Sequence, residues 1–251
     1  WDAYKDKKTK VVINTDVTTI GNYAFYDCTN ITSLTIPDSV TTIGEWAFSG
    51  CTSLASVTIG SGVTTIGIYA FSGCTALTSV TIPDSVTTIG IEAFSRCTGL
   101  TNVEIGNGVT SIDFHAFSDC TALTSITIPS GVTSIDSGIF SYCSSLVDID
   151  VDSANENYTS IDGVVFSKDG TTLIAYPAGR NGAYEIPNIV TTIDAFAFEG
   201  CTGLTSVTIP DSVTTIGNYA FSSCAGLTSV TIPDSVTTIG YCVFNICTAL
   251  R

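Results

Sequence analysis

Apolar side chains recur along the chain every 23 residues, and phenylalanine marks the period most clearly. The repeated phenylalanines are Phe25, Phe48, Phe71, Phe94, Phe117 and Phe140, and the period resumes at Phe198, Phe221 and Phe244. A strict period of this size indicates a solenoid, in which each repeat forms one coil and buries its apolar side by stacking on its neighbours. The sequence therefore predicts a repeat solenoid and not a round globular domain.

Within one typical repeat, the apolar positions predict two extended segments and a turn. Leu34 and Ile36 alternate with hydroxyl residues, which is the period-two pattern of a half-buried strand. Val40 and Ile43 predict a second, shorter extended piece. Residues 45–48 then predict one short helical or 3-10 turn that directs the repeat phenylalanine inward. We therefore expect a mostly β solenoid with short helical or 3-10 turns.

The consensus of the repeat resembles a known family. The pattern I-x-x-L-x-I-P-x-x-V-x-x-I-G-x-x-A-F-x-x-C runs through residues 11 to 250, and it is similar to the treponemal-type, or BspA-like, leucine-rich repeat. The resemblance implies a right-handed curved leucine-rich-repeat array of 23-residue coils with a strand sheet on its concave side. It also implies a cell-surface or secreted protein of bacteria or protists, often an adhesin that contacts host matrix proteins or other cells.

The predicted organisation is a single solenoid over residues 1–251, in four parts. These are an N-terminal cap at 1–10 in which Trp1 and Tyr4 pack over the first coil, regular coils at 11–143, long coils with an inserted β-hairpin at 144–190, and regular coils with an open C-terminal end at 191–251. The hairpin is predicted because two β-branched segments flank residues 168–170. It either thickens the solenoid or protrudes to contact a ligand, since loops on rigid scaffolds often carry function.

Charge and hydropathy exclude several classes of partner. The formal net charge is −15, and between residues 11 and 250 the only basic residues are Arg96, Lys168 and Arg180. Such an acidic body repels nucleic acid and anionic membrane surfaces. No apolar run approaches the roughly 18 residues that a membrane span needs. With no methionine and Trp1 as its first residue, the chain is expected to be a portion of a longer protein whose signal segment is not present.

The sequence offers no combination of residues for catalysis or for a cofactor. His115 is the only histidine, and we expect it on an exposed turn, so a histidine-based metal cluster is impossible. Asp148, Asp150 and Asp152 share one strand face near Asn155, which makes calcium conceivable, but the EF-hand pattern is not met and a solvated acidic edge fits better. We expect no catalytic, cofactor-binding or metal-binding residue and no enzymatic activity.

The cysteines form a regular column. Nine of the ten, from Cys28 to Cys247, occupy one position of the repeat, and Cys242 is the exception. Side chains in one column point inward in parallel, which is a poor orientation for a disulfide between adjacent coils. We therefore expect a buried ladder of free thiols that act as small apolar residues.

Two outward columns are candidate binding surfaces for a protein. One precedes the repeat phenylalanine and carries large aromatic residues at Tyr23, Trp46, Tyr69, Phe196 and Tyr219. Tyrosine and tryptophan are good interface anchors, although they could also simply cover the turn. The alternative surface is the outward side of the longer strands, expected to be concave, with Thr35, Thr58, Thr81, Glu104, Thr127, Thr208 and Thr231.

Three functions are compatible with these features. The first is a non-enzymatic surface or secreted module for adhesion and protein binding, with a host matrix or cell-surface protein as partner. The second is a structural spacer, or a unit that assembles end to end through its open last coil. The third is ice binding through the regular Ser-x-Thr ladders, which a curved face interrupted at Glu104 fits poorly. None of the three involves nucleic acid or insertion into a membrane.

Overall fold

The computed structural model describes residues 9–251, which form a stack of β coils joined by turns. The N-terminal cap predicted around Trp1 and Tyr4 lies outside the described residues. In residues 9–251 no segment is helical, so this part contains no helix that could cross a membrane. The repeat solenoid that the sequence predicts is confirmed.

The regular coils each contribute one longer strand, and these strands pair in parallel within four sheets of two or three strands. In the regular pairing, Ser33 lies opposite Ser56 and Leu34 opposite Val57, one coil later. The longer strands are β1 (Thr9–Val12), β3 (Ile31–Thr35), β5 (Ser56–Thr58), β7 (Ser79–Ile82), β9 (Asn102–Ile105), β11 (Ser125–Ile128), β13 (Asp148–Val151), β17 (Gly182–Glu185), β19 (Leu204–Thr208) and β21 (Ser229–Thr231).

Two-residue strands form a second parallel ladder on another side of the coil. Thr42 lies opposite Thr65 and Ile43 opposite Ile66. These strands are β2 (Thr19–Ile20), β4 (Thr42–Ile43), β6 (Thr65–Ile66), β8 (Thr88–Ile89), β10 (Ser111–Ile112), β12 (Ser134–Ile135), β18 (Thr192–Ile193), β20 (Thr215–Ile216) and β22 (Thr238–Ile239). From Thr41 onward, the threonine before each two-residue strand donates a hydrogen bond from its hydroxyl to the coil before, as Thr64 Oγ1 does to the Thr41 carbonyl at 3.1 Å.

The segment between the short strand and the cysteine is a series of turns and not the predicted helical or 3-10 turn. The N–H of Phe48 donates to the Ala70 carbonyl of the next coil at 2.8 Å, while the N–H of Ser49 donates locally to the Trp46 carbonyl at 3.2 Å. Because alternate N–H groups point along the stack, the backbone cannot continue as a helix. Trp46 and Gly50 take left-handed conformations with φ of 56° and 74°.

The core is a stack of phenylalanine rings surrounded by aliphatic side chains. Phe71 lies between Phe48 and Phe94, with ring centroids 5.2 Å apart on both sides. The inward positions predicted for one repeat are all buried, with Val40, Ile43 and Phe48 fully so. Each coil therefore buries its apolar side against its neighbours, and burial of one such side chain contributes roughly 1.5–3 kcal/mol.

The long coils contain three antiparallel strands, β14 (Tyr158–Ile161), β15 (Val164–Ser167) and β16 (Thr172–Ala175). β15 and β16 form the predicted hairpin, and β14 adds a strand that the sequence analysis does not predict. β16 then pairs in parallel with β18, so the hairpin joins the ladder of short strands. Tyr176 takes the place of a repeat phenylalanine, because its ring stacks on Phe198 with centroids 4.9 Å apart. The buried residues form two clusters that meet in these long coils.

The cysteine column is a ladder of free thiols, as predicted. All ten cysteines are free, and Cys242 is exposed. From Cys51 onward, each thiol of the column donates a hydrogen bond to an aromatic residue's carbonyl in the coil before, as Cys74 Sγ does to the Phe48 carbonyl at 3.3 Å and Cys97 Sγ to the Phe71 carbonyl at 3.2 Å; the acceptor is a phenylalanine except for Cys201, which donates to Tyr176. Burial raises the pKa of Cys97 to about 12, so this thiol stays protonated.

Candidate functional site

The aromatic column lies along one rim of the stack, at a turn position where the backbone is left-handed. Every non-glycine member has φ between 50° and 60°. We call this column the aromatic rim; its members are Tyr23, Trp46, Tyr69, Glu92, His115, Gly138, Phe196, Tyr219 and Cys242. A left-handed conformation costs an L-residue roughly 1–2 kcal/mol, and glycine avoids that cost. The rim nevertheless uses glycine only at Gly138.

A second left-handed column runs parallel to the rim and provides a comparison. It consists of Asp27, Gly50, Gly73, Arg96, Asp119, Tyr142, Gly200, Ser223 and Ile246. Three of its nine members are glycine, and only Tyr142 is aromatic. Both columns have a left-handed backbone, but their side chains differ. The backbone conformation alone therefore does not explain why the rim carries aromatic rings.

In the first coils the rim side chains form a ring stack. The centroid of Trp46 lies 4.0 Å from that of Tyr69 and 6.2 Å from that of Tyr23, with nearly parallel planes. Tyr26 packs edge-on against both Tyr23 and Trp46. Tyr23 is 56% exposed and Tyr26 is 44% exposed. Sequence analysis missed Tyr26, although it stands where most repeats have a serine.

The hydroxyl of Tyr69 is held by an acid of the next coil. Tyr69 Oη donates a hydrogen bond to Glu92 Oε1 at 2.7 Å. This bond to a carboxylate raises the pKa of Tyr69 above its usual value, so the phenol stays protonated. The first part of the rim is therefore a fixed strip of three stacked rings that ends at a carboxylate.

A second group of rings lies in the last coils. Phe196 stacks on Tyr219 with centroids 5.0 Å apart, and Tyr241 packs edge-on against Tyr219 at 5.1 Å. Tyr241 is 61% exposed. It was not predicted, because it stands one residue before the rim position.

His115 is not the exposed turn histidine that the sequence predicts. Its side chain is only 18% exposed, and Nε2 lies 3.6 Å from Glu199 Oε2. A Cβ at Gly138 would come within 2.5 Å of the imidazole, which shows that the ring leans over this glycine toward the following coils. Its centroid is 3.9 Å from that of Phe114 and 5.4 Å from that of Phe196. Burial lowers the pKa of His115.

Glu199 is the most unusual residue of the rim region, and the sequence analysis missed it. It is 7% exposed and stands in a column that has Tyr26 in an early coil, Asn245 in the last coil, and buried serines at Ser49, Ser72, Ser95, Ser118, Ser141 and Ser222. That departure from the repeat is the signal that could have identified it. Burial raises the pKa of Glu199 above its usual range.

Tyr142 completes a contact that we call the rim clamp, formed by His115, Tyr142 and Glu199. The Tyr142 ring leans over Gly200, and its hydroxyl donates to Glu199 Oε1 at 3.2 Å. His115 Nε2, Ser141 Oγ and Glu199 Oε2 are buried without a hydrogen-bond partner. Beside them lies a cavity of about 10 Å³ lined by Gly138, Ser141, Phe196 and Glu199 among others, about the space of one water. The clamp therefore joins the coils on either side of the long-coil region.

The alternative surface, the outward side of the longer strands, is fully accessible. Its residues Thr35, Thr58, Thr81, Glu104, Thr127, Thr208 and Thr231 are all exposed. Thr81 Oγ1 donates to Glu104 Oε2 at 3.1 Å. We call this surface the hydroxyl face. Nothing in its geometry distinguishes one coil from the next, apart from its acids.

The acidic strand β13 continues the hydroxyl face. Asp150 lies opposite Thr127, and both Asp148 and Asp150 are exposed. Asn155 is buried, and its Nδ2 donates to the carbonyls of Pro129 and Val132, so it is committed to the fold. In residues 9–251 no three histidine, cysteine, aspartate or glutamate side chains come together to hold a metal ion.

Comparison with known proteins adds the evidence of relatives. A family model described as "BspA type Leucine rich repeat region" matches residues 3–91, 65–181 and 180–251, with six copies in all. The chain is similar to the structure of the pneumococcal vaccine antigen PcpA, with a TM-score of 0.83 and 26% identity over 100% of this chain and 72% of that one. It is also similar to a leucine rich cell surface protein from Faecalibacterium prausnitzii A2-165, with a TM-score of 0.70 and 35% identity over 94% and 76% of the two chains. No curated protein sequence matches significantly.

Proposed function

Because the chain belongs to the BspA-type leucine-rich repeat family, as its repeat consensus predicted, we propose that it is a non-enzymatic protein-binding module. It acts at the cell surface or as a secreted protein, and it presents its scaffold to host or cell-surface proteins. The similarity to a bacterial cell surface protein and to a vaccine antigen supports this location. The only histidine is packed against Phe114 and Glu199, which supports a role without catalysis.

The observation that carries the proposal is the occurrence of large aromatic residues in the left-handed column of the rim. Trp46 and Tyr69 adopt φ of 56°, where glycine would be less strained. Residues held in sparsely populated conformations are often found at functional sites. Tyrosine and tryptophan provide much contact area with few rotatable bonds, which makes them frequent anchors of protein interfaces. The aromatic rim is therefore the proposed contact surface, and the hydroxyl face is the alternative.

The test compares the binding of variants to immobilised matrix proteins and to whole cells. Trp46→Asn with Tyr69→Asn removes two rings, and asparagine tolerates the left-handed backbone better than most residues. Thr35→Val with Thr58→Val changes the hydroxyl face of neighbouring coils. We expect the rim variant to melt as a folded solenoid and to lose binding by about tenfold or more, while the hydroxyl-face variant binds normally. Normal binding by the rim variant together with loss in the hydroxyl-face variant would contradict the proposal.

A second candidate function is a spacer or an end-to-end assembling unit of a larger surface protein. The observation that favours it is the parallel pairing of one coil with the next, as between β19 and β21, which a coil of a second chain can continue in the same way. Light scattering at increasing concentration tests it, because end-to-end assembly predicts a mass that grows with concentration and a binding module predicts a constant mass.

A further inference from the structure

Resting on the proposed function, we infer that the partner of the aromatic rim presents an arginine-bearing basic segment. The inference concerns the first coils, where Tyr23, Tyr26, Trp46 and Tyr69 form a continuous strip of rings.

Three carboxylates accompany the ring strip. Glu45 directly precedes Trp46 in the chain, Asp27 directly follows Tyr26, and Glu92 accepts the Tyr69 hydroxyl. Asp27 and Glu45 are exposed. Within residues 9–251 none of the three carboxylates forms an ion pair, and the basic side chains near them are Arg96 and His115, both close to Glu92. The strip is therefore an apolar surface bordered by negative charge that the described part of the chain leaves unneutralised.

The other acids of these coils serve the fold. Asp38 Oδ1 accepts the N–H of Ser61 at 2.7 Å, and Asp84 Oδ1 accepts the N–H of Asn107 at 2.8 Å. Both are therefore used to join one coil to the next. The hydroxyl face of the same coils carries only serine and threonine, from Ser33 to Thr81. Within residues 21–100, the carboxylates that are not used to join coils are therefore the three beside the rings.

The stacking of the rings also restricts the partner. Trp46 is nearly parallel to Tyr23 and to Tyr69, with interplanar angles of 9° and 21°, so neighbouring rings cover both of its faces. A sugar ring that binds by stacking needs an open aromatic face, and Trp46, at the centre of the strip, has none. An arginine can lay its aliphatic stem along apolar edges while its guanidinium forms paired hydrogen bonds with carboxylates. The geometry therefore favours a peptide segment with arginine over a glycan.

The experiment uses Trp46 as the reporter. The sequence has two tryptophans, so a Trp1→Phe background leaves Trp46 as the only one. A peptide of alternating glycine and arginine is titrated while Trp46 fluorescence is recorded, with a glycine–glutamate peptide and a neutral oligosaccharide as comparison probes. We expect a saturable change with the arginine peptide alone. We also expect it to weaken steeply with added salt, as charge-complementary association does.

Matched charge variants locate the site. Glu45→Gln with Glu92→Gln removes two charges at the rim, and Asp148→Asn with Asp150→Asn removes two on the exposed strand β13. We expect the rim pair to weaken the arginine peptide by about tenfold and the β13 pair to change its affinity by less than about twofold. Equal weakening by both pairs would overturn the inference, because it would indicate attraction to net charge only. A response to the oligosaccharide and not to the peptide would also overturn it.

The inference and the proposed function can fail separately. If the arginine peptide does not bind but Trp46→Asn with Tyr69→Asn still abolishes capture of a protein partner, the rim is a binding surface and the inference is wrong. If the arginine peptide binds at the rim but protein partners bind equally well to that ring variant, the inference stands and the proposed contact surface is wrong.

Discussion

Glu199 shows how one buried carboxylate departs from the chemistry of the repeat. It replaces a serine and is enclosed by His115, Tyr142, Ser141 and Ser222. Its ionised form loses hydration in this setting, and one carboxylate oxygen has no hydrogen-bond partner. Burial therefore disfavours the charged form of this carboxylate, in the contact that joins the coils beside the long-coil region.

The raised pKa of Glu199 predicts a pH-dependent effect of Glu199→Gln. A raised folded-state pKa contributes stability below the unfolded value of 4.5 and loses it as the pH rises through the folded pKa. Glutamine has no such dependence. The free energy of unfolding of the wild type, minus that of the variant, should therefore decrease between about pH 4 and pH 7. Urea denaturation of both proteins at several pH values measures this difference. His115 is present in both proteins. A difference that does not change with pH would contradict the burial of an ionisable Glu199.

Phe94 tests the ring stack of the core. It is fully buried, with Phe71 and Phe117 at 5.2 and 5.5 Å. Phe94→Ala leaves a cavity between two coils, and we expect a loss of about 3–5 kcal/mol in the free energy of unfolding. Urea denaturation measures the loss. The matched control is Tyr241→Ala at an exposed ring, expected to cost less than about 1 kcal/mol. Similar losses for both would be inconsistent with an interior ring stack.

The thiol ladder predicts a clear order of chemical reactivity. Burial raises the pKa of Cys51 and Cys97 to about 12, and the thiolate is the reactive form. In the folded protein, Cys242 should react first with a thiol reagent, because it is exposed. In denaturant without reductant, all ten cysteines should react, as expected for free thiols. A count near zero in denaturant would mean that the column forms disulfides.

At the scale of the element, glycines set how closely one coil approaches the next. A Cβ at Gly62 would lie 1.9 Å from the Asp38 carbonyl oxygen, and one at Gly108 would lie 1.7 Å from that of Asp84. Both glycines belong to coils whose longer strand is followed by Ile-Gly, and both oppose coils with Ile-Pro. Gly131, in a coil whose longer strand is followed by Pro129, makes the same approach, with a Cβ 2.0 Å from the Asn107 carbonyl oxygen, so the close contact occurs in coils of both kinds.

Gly62→Ala tests this close approach. The added methyl group must displace a backbone carbonyl of the preceding coil, so we expect a loss of about 1–3 kcal/mol in the free energy of unfolding. Gly21→Ala is the matched control, since a Cβ there meets no atom within 4 Å. Urea denaturation measures the free energy of unfolding of the two variants. Equal stability would show that the coils can separate at this corner without cost.

The coils could be predicted from the sequence because burial follows the apolar period. Leu34, Ile36 and Phe48 are inward in the structure for the same reason that they recur. The left-handed turns could not be predicted, because tyrosine, tryptophan and glutamate at the rim do not signal positive φ. Positive φ is imposed instead by the direction of the backbone N–H groups, which point toward the next coil. The burial of His115 depends on Gly138 in another coil, which no local pattern reveals.

At the scale of the whole molecule, the long coils connect two core clusters. Strands β15 and β16 extend the ladder of short strands on one side. On the rim side, the N–H of Tyr142 donates to the Glu199 carbonyl at 3.4 Å, and His115 reaches Phe196. The rim clamp therefore joins the coils that carry the second group of rings, at Phe196 and Tyr219, to the coils before the long-coil region.

The central claim is that the rings of the rim contact a protein partner, and oxidative footprinting of the side chains tests it most directly. The oxidation rates of Tyr23, Tyr26 and Trp46 are measured in the free protein and in the saturated complex with a matrix or cell-surface protein that it binds. The account predicts that the exposed rings of Tyr23 and Tyr26 and the partly exposed ring of Trp46 become protected, while residues of the hydroxyl face keep their reactivity. Unchanged oxidation of all three rings in the saturated complex would contradict it.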